Sequence, residues 1–396
     1  MAILEIERVG PAHRSRPIAP WLVHSDIAAA EAETRRCPHY EWTPLRSLEQ
    51  AARRIGAAHV ALKDEAARFG MGSFKALGGV YALGRTLCER VGAARGCDID
   101  LADLISGRFA ENTAGITICC ASDGNHGRAV AAGARLFGCA CTVFLHEGVS
   151  AGRADAIADY GATIVRIAGD YDDSVRAANA AALTPGWINI SDTADCPDDP
   201  VPALVMQGYS VMVGEALGQL EEQGVGAPTH IFLQGGVGGL AAAVIASCDA
   251  LLPADSTPVF IVVEPESADC LFQSAQAGAP RSASGDLDTV MAGLSCGEVS
   301  RVAWPVIDAT AKIFMTITDD QAVSAMREAA AGSLGARFVC GESGAAGIAG
   351  MIAYAEKYRG DLGFHADSVI LLFGTEGATD PEIYEQLVGN SVGQAA

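Results

Sequence analysis

Three short stretches of the sequence carry residue types that suit chemistry on a small anionic ligand. The first is Gly72-Ser73-Phe74-Lys75-Ala76, where one lysine stands among apolar and small neighbours at an apparent helix start. A lysine so placed loses solvent, its pKa falls, and the neutral amine can attack an aldehyde. The bland alternative is a surface lysine that lays its stem on apolar neighbours and keeps its ammonium in water. The second stretch is Ser122-Asp123-Gly124-Asn125-His126-Gly127. Its small residues expose backbone donors at a helix start, which suits a carboxylate, and Asn125 offers both a donor and an acceptor. Without a function, Ser122 or Asp123 is an N-cap and His126 a structural histidine. The third is Gln234-Gly235-Gly236-Val237-Gly238-Gly239-Leu240. Its glycines let backbone N–H groups converge on an anion at the positive end of a helix, which describes a phosphate cup. Read structurally, it is a turn for close strand–helix packing. No Gly-Lys-Ser/Thr ending follows, so a nucleotide P-loop is excluded, and the glycine spacing fits a dinucleotide site poorly. Two polar turns, Gly374-Thr375-Glu376-Gly377 and Gly341-Glu342-Ser343-Gly344, read equally well as structure.

Those stretches sit between periodic elements. Apolar runs at 115–120, 141–145, 163–167 and 187–190 alternate with helical spacing at 127–137, 151–160 and 171–182. A second set has strands at 230–233, 258–264 and 368–373 and helices at 240–251 and 344–358. Continuous apolar strands alternating with helices indicate βα units around parallel sheets. The proline-rich opening, with Pro11, Pro17, Pro20, Pro38 and Pro44, reads as irregular up to about Arg54. The stretch 192–202, dense in Asp and Pro, reads as the connection between two α/β units, neither strand nor helix. The expected fold is therefore α/β, with two doubly wound domains and a cleft between them. Ligands in such sheets sit beyond the carboxyl ends of strands.

Composition narrows the classes. A chain of 396 residues that is 50% apolar can bury the cores of two ordinary domains. A formal charge of −21 argues against nucleic acid and against anionic membrane, and it need not imply a cationic partner. The acidic opening Met1-Ala2-Ile3-Leu4-Glu5-Ile6-Glu7 is unlike a signal peptide, so a cytoplasmic protein is expected. None of the 12 cysteines are paired at Cys-x-x-Cys spacing, so they read as reduced, packed thiols and no metal site is expected.

Taken together these stretches resemble the fold-type II pyridoxal-phosphate enzymes, the tryptophan synthase β-like group. Within it the similarity is greatest to the diaminopropionate ammonia-lyases. It is carried by residues 68–79, 122–127, 192–194, 206–209, 235–239, 263–265, 291–298, 341–345 and 375–377, in family order. The resemblance implies a pyridoxal 5'-phosphate cofactor held covalently by Lys75, with Phe74 beside it. It implies that Asn125 bonds the pyridoxal hydroxyl, that Gly235, Gly236, Val237, Gly238 and Gly239 hold the phosphate, and that Thr375 faces the pyridine nitrogen. A neutral hydroxyl there leaves that nitrogen unprotonated and favours elimination over transamination. Ser122, Asp123, Gly124 and His126 would meet the substrate. Asp123 marks the subclass, because threonine dehydratase-like relatives usually have a small neutral residue at that position. Asp123 or Lys75 would take the α-proton, and Asp192 would serve the opposite configuration.

The implied reaction is elimination of ammonia from 2,3-diaminopropionate to pyruvate and ammonia, in a homodimer acting on a small amino acid. Rival readings are a hydroxyamino-acid dehydratase, a β-replacement synthase, or a non-catalytic binding protein. The implied domains are 1–80 plus 196–396 for the cofactor and 81–195 as a smaller insert. One departure stands out: after Asp192-Thr193-Ala194 the ammonia-lyases typically continue aromatic, acid, aromatic, where this chain has Asp195-Cys196-Pro197-Asp198-Asp199-Pro200. If Lys75 holds the cofactor, purified protein should be yellow, and borohydride should fix the cofactor to the peptide containing Lys75. A Lys75→Ala protein that still yields a reducible covalent adduct would rule that lysine out.

Overall fold

The computed structural model describes residues 1–6 and 18–389. Its strands are β1 (Ile3–Glu5), β2 (Leu45–Ser47), β3 (His59–Asp64), β4 (Thr117–Ala121), β5 (Ala140–His146) and β6 (Thr163–Ile167). They continue as β7 (Trp187–Asn189), β8 (His230–Gln234), β9 (Val259–Pro265), β10 (Ile313–Ile317) and β11 (Val369–Gly374). Two sheets share them, in the orders β1-β10-β9-β8-β11-β3-β2 and β6-β5-β4-β7. Only the edge strands β1 and β2 run antiparallel to their neighbours. Parallel strands are covered on both faces, which is why Phe232, Leu233, Ile261, Val262, Ile370 and Leu371 are fully buried and why the apolar runs were continuous. The expected two-sheet α/β architecture is the one observed.

Two expectations need correction. The opening is not irregular: Pro20, Pro38 and Pro44 flank, and do not interrupt, the helix His24–Thr34, strand β2 and the helix Glu49–Ile55. Pro11 and Pro17 lie outside the described residues. The connection after β7 is also shorter than expected, because residues 200–202 already belong to the helix Pro200–Glu222. Proline is tolerated in a first turn, whose N–H groups have no intrahelical acceptor. Asp199 caps that turn, its Oδ1 accepting from the Val201 N–H at 3.0 Å.

The helix Lys75–Arg95 lies between helices of the two halves, and glycines let it come close. A Cβ on Gly78 would meet Val205 O at 2.6 Å, and one on Gly208 would meet Leu77 O at 2.5 Å. On the other side a Cβ on Gly79 would lie 2.9 Å from the Ala129 Cβ, on the helix Asn125–Phe137. The segment leading into Lys75 is anchored from below by buried charges. Arg68 donates to both Glu65 oxygens at 2.8 Å and to Glu215, on the helix Pro200–Glu222, at 2.7 and 3.0 Å. Lys63 reaches the same Glu215 at 2.7 Å and Thr43 O at 2.7 Å. Each charge is paired, which is what makes full burial tolerable. Gly78→Val should overpack the helix crossing and cost about 1–3 kcal/mol, read as a lower midpoint of chemical denaturation. An unchanged midpoint would show that the two helices can separate freely.

Candidate active site

The site forms where loops leave the carboxyl ends of strands from both sheets. Lys75 opens its helix within the crossover that follows β3, and Asp123 and Asn125 follow β4. Asp192 follows β7, the glycine loop follows β8, and Thr375 follows β11. One cleft is lined by Phe74, Lys75, Ser122, Asp123, Asn125, His126, Asp192, Gly235, Gly236, Val237, Gly239 and Thr375. Gly124 and Gly238 stand behind this wall and shape it. Gly124 has φ 143° and packs on Arg153, and Gly238 has φ 99°, with no room for a Cβ beside Ile307.

Lys75 is registered against the last strand of the large sheet. Phe74 N donates to Thr375 O at 3.0 Å, Gly377 N donates to Gly72 O at 2.9 Å, and Ser73 bridges Glu376. The Phe74 ring packs on Tyr209, with centroids 4.6 Å apart. The Lys75 ammonium lies 2.5 Å from Asp192 Oδ2, in a side chain 22% exposed against 5% for Asp192. Burial alone would lower the lysine pKa, as the sequence suggested. The Asp192 carboxylate overrides it, and the group is raised above its ordinary value. Asp192 answers in kind: burial would raise it, but Lys75 and then His126 hold it well below the usual carboxylate range. Tyr171 donates to its other oxygen at 3.0 Å.

The loop after β4 divides its work. Ser122 Oγ accepts from the Gly124 and Gly127 N–H groups at 2.9 and 2.8 Å, so its hydroxyl is a turn-former. His126 Nε2 pairs with Ile190 O at 2.7 Å, which makes the histidine structural while its ring edge stands 3.9 Å from Asp192. Asp123 caps nothing. It pairs with His146 Nε2 at 3.1 Å, and burial, only partly offset by His146, raises its pKa. The Asn125 amide donates to Glu376 Oε2, and Glu376 Oε1 takes the Ser343 N–H at 2.9 Å.

Pyridoxal phosphate fits these residues. Among the described residues, the N–H groups of Gly236, Val237 and Gly239 have no protein acceptor, and they open the helix Gly239–Leu251. That is a cradle for a phosphate. Lys75 lies in the same cleft, and Thr375 supplies a buried hydroxyl to its wall. Sequence reasoning passed over Tyr171, Arg153 and Cys296 as site residues, although all three line the cleft. Tyr171 and Arg153 each lie within two helical turns of the carboxyl end of a parallel strand, the signal that could have found them.

The pattern described as pyridoxal-phosphate dependent enzyme matches residues 37–374. The chain belongs to this family. Its relatives there include ammonia-lyases. The diaminopropionate ammonia-lyase of Salmonella typhimurium (strain LT2) is 37% identical over 369 residues, 90% of each chain. That of Escherichia coli (strain K12) is 34% identical over 384 residues, 93% of each. A crystal structure of the Escherichia coli enzyme, in complex with an aminoacrylate–PLP azomethine reaction intermediate, superposes with a TM-score of 0.86 at 32% identity. The match covers 98% of this chain and 96% of that one. The fold-type II architecture extends to a threonine deaminase at 22% identity and a TM-score of 0.69.

Gly236 has φ 63°, and a Cβ there would stand in ordinary contact with Gly293 O at 3.4 Å, Leu294 Cδ2 at 3.6 Å and Cys296 Sγ at 3.7 Å. Gly236→Asp should place a charge in the cradle, with some backbone strain from the left-handed conformation. Cofactor affinity should fall by several kcal/mol at most, the loss of a few charge-assisted bonds, measured by cofactor retained on dialysis. Full retention would remove the cradle from the phosphate site.

Proposed function

We propose that this chain eliminates ammonia from 2,3-diaminopropionate, giving pyruvate and ammonia, with pyridoxal phosphate carried on Lys75. The observation that carries the reading is the meeting of one lysine with two carboxylates, the buried Asp192 and the partly buried Asp123, in a single cleft. When bound, the cofactor supplies an electrophilic carbon and a ring that delocalises negative charge from Cα. Asp192 holds the Lys75 nitrogen in place within the cleft. The loop 122–126 presents the N–H groups of Asp123, Asn125 and His126 to the substrate carboxylate, with Ser122 and Gly124 shaping its turn. Asp123 or Lys75 takes the α-proton of one enantiomer, and Asp192 that of the other. The β-ammonium departs as ammonia with the C–N bonding pair and needs no further proton. Released 2-aminoacrylate then hydrolyses in water to pyruvate and a second ammonia.

In this reading Asn125 bonds the pyridoxal hydroxyl, Thr375 faces the ring nitrogen, and Gly235, Gly236, Val237, Gly238 and Gly239 form the phosphate loop. The family resemblance supports a cytoplasmic homodimer, with residues 1–80 and 196–396 as the cofactor domain and 81–195 as the insert. Among the described residues, no helix is long and apolar enough to cross a membrane.

The test is pyruvate release from D- and L-diaminopropionate and from serine by wild type, Asp123→Asn and Asp192→Asn. Losing a general base typically costs about 10² to 10⁴ in rate. Asp123→Asn should lose that much on one enantiomer, and Asp192→Asn mainly on the other. A wild type that prefers serine would make the chain a dehydratase and implicate the altered loop 195–200. Near-wild-type activity of Asp123→Asn on both enantiomers would remove Asp123 from the chemistry.

A further inference from the structure

The cleft contains one polar pairing that the proposed reaction has not used. His146 ends β5, and its Nε2 lies 3.1 Å from Asp123 Oδ1. Its other ring nitrogen is also engaged, because the Gly148 N–H donates to Nδ1 at 3.2 Å. A nitrogen that accepts cannot carry the proton, so in the neutral ring the proton sits on Nε2 and is donated to Asp123. The turn that sets this geometry is itself pinned, since Arg166 Nη1 donates to His146 O at 3.2 Å and to Val149 O at 2.6 Å. The pair stands at the rim of the cleft, with the imidazole 19% exposed and the carboxylate 13%.

We propose that His146 is a positioning residue for Asp123: through its Nε2–H it fixes the carboxylate's rotamer and keeps it ionised. The inference rests on the reading of Asp123 as a proton acceptor. A base must be unprotonated to act, and burial presses Asp123 toward its neutral form. A donor on Oδ1 favours the carboxylate and leaves Oδ2 to face the substrate. Asp192 needs no such partner, because Lys75 and Tyr171 already hold it. The two bases are thus kept ionised by different devices, and losing His146 should affect one of them. The other groups facing the pair are Asp170 and Arg166 beside His146, and Lys75, His126, Tyr171, Asp172, Asp192 and Cys296 around Asp123. None of these changes between the variants below.

The experiment has a kinetic arm and an arm independent of turnover. In the first, kcat/KM for each enantiomer of diaminopropionate is measured against pH for wild type, His146→Ala and His146→Gln, all as holoenzyme. For the Asp123-dependent enantiomer, His146→Ala removes a donor to the carboxylate, so the Asp123 pKa rises. The acid limb should then move up by about one pH unit, with about a tenfold loss on its acid side, the worth of one hydrogen bond to a charged group. His146→Gln, whose Nε2 can stand where the imidazole Nε2 stood, should restore most of it. The other enantiomer should keep its wild-type acid limb in both variants. An equal loss on both enantiomers, or no shift of either limb, would overturn the proposal.

In the second arm, holoenzyme labelled with ¹⁵N-histidine is observed at pH 8, the His146 signals being those that vanish in His146→Gln. A neutral ring protonated on Nε2, with its shift altered in Asp123→Asn, is the expected result. A ring protonated on Nδ1, or one indifferent to Asp123→Asn, would overturn it. If wild type turns over neither enantiomer, the ammonia-lyase reading fails by itself, and the spectra still decide whether His146 donates to Asp123.

Discussion

The contact between the Lys75 ammonium and Asp192 is the constraint around which the site is arranged. The lysine opens the long crossover helix after β3 in the large sheet, and the aspartate follows β7 in the small one. Bringing both out of water is costly unless each charge finds its partner. Every neighbour of the pair serves that requirement. Tyr171 donates to the free Asp192 oxygen, and His126, tied to Ile190 O, stands with its ring edge toward the other. Beside Asp192 the lysine is held in its charged form.

A contact of that length tolerates little slack in the elements that carry it. The chain before Lys75 is locked by Arg68, Lys63, Glu65 and Glu215, four buried charges in which every cation meets an anion. The helix that follows it is clamped at Gly78 and Gly79, where only glycine allows the crossing distances. Removing one member of such a network leaves a buried charge unpaired, which is far more costly than removing the whole set. Rigidity at the base of the cleft is thus built from ion pairs below and close backbone contact on either side.

The cleft is also divided electrostatically. Its glycine loop is a row of unpaired N–H groups at a helix start, with no carboxylate on the loop itself. Elsewhere in the cleft Asp123 and Asp192 stand near Lys75, with Asp172 close behind and pushed up to about 7 by burial and by Glu298. One cleft thus offers N–H groups to an anion and carboxylates to a cation. This polarity suits a reactant that carries ammonium groups and a cofactor that carries a phosphate.

Much of this was legible in the residues. Continuous apolar runs marked the buried parallel strands, glycine-rich loops marked the turns after β4 and β8, and Lys75 stood out among its apolar neighbours, because these are local properties of spacing and residue type. The resemblance carried by residues 68–79, 122–127 and 235–239 named the family on the same local grounds. The helix at 200–222 was hidden because prolines that read as breakers occupy a first turn, where they are harmless. What only the tertiary structure decided was which charges meet. Sequence reasoning left Lys75 with a lowered pKa, because desolvation is implied by neighbours along the chain. The opposite outcome comes from Asp192, 117 residues away. His146 was invisible for the same reason: its partner Asp123 lies on the adjacent strand's loop, and only the parallel register of β4 and β5 brings the two together. Local sequence determines which groups can act, and strand pairing decides which group stands next to which.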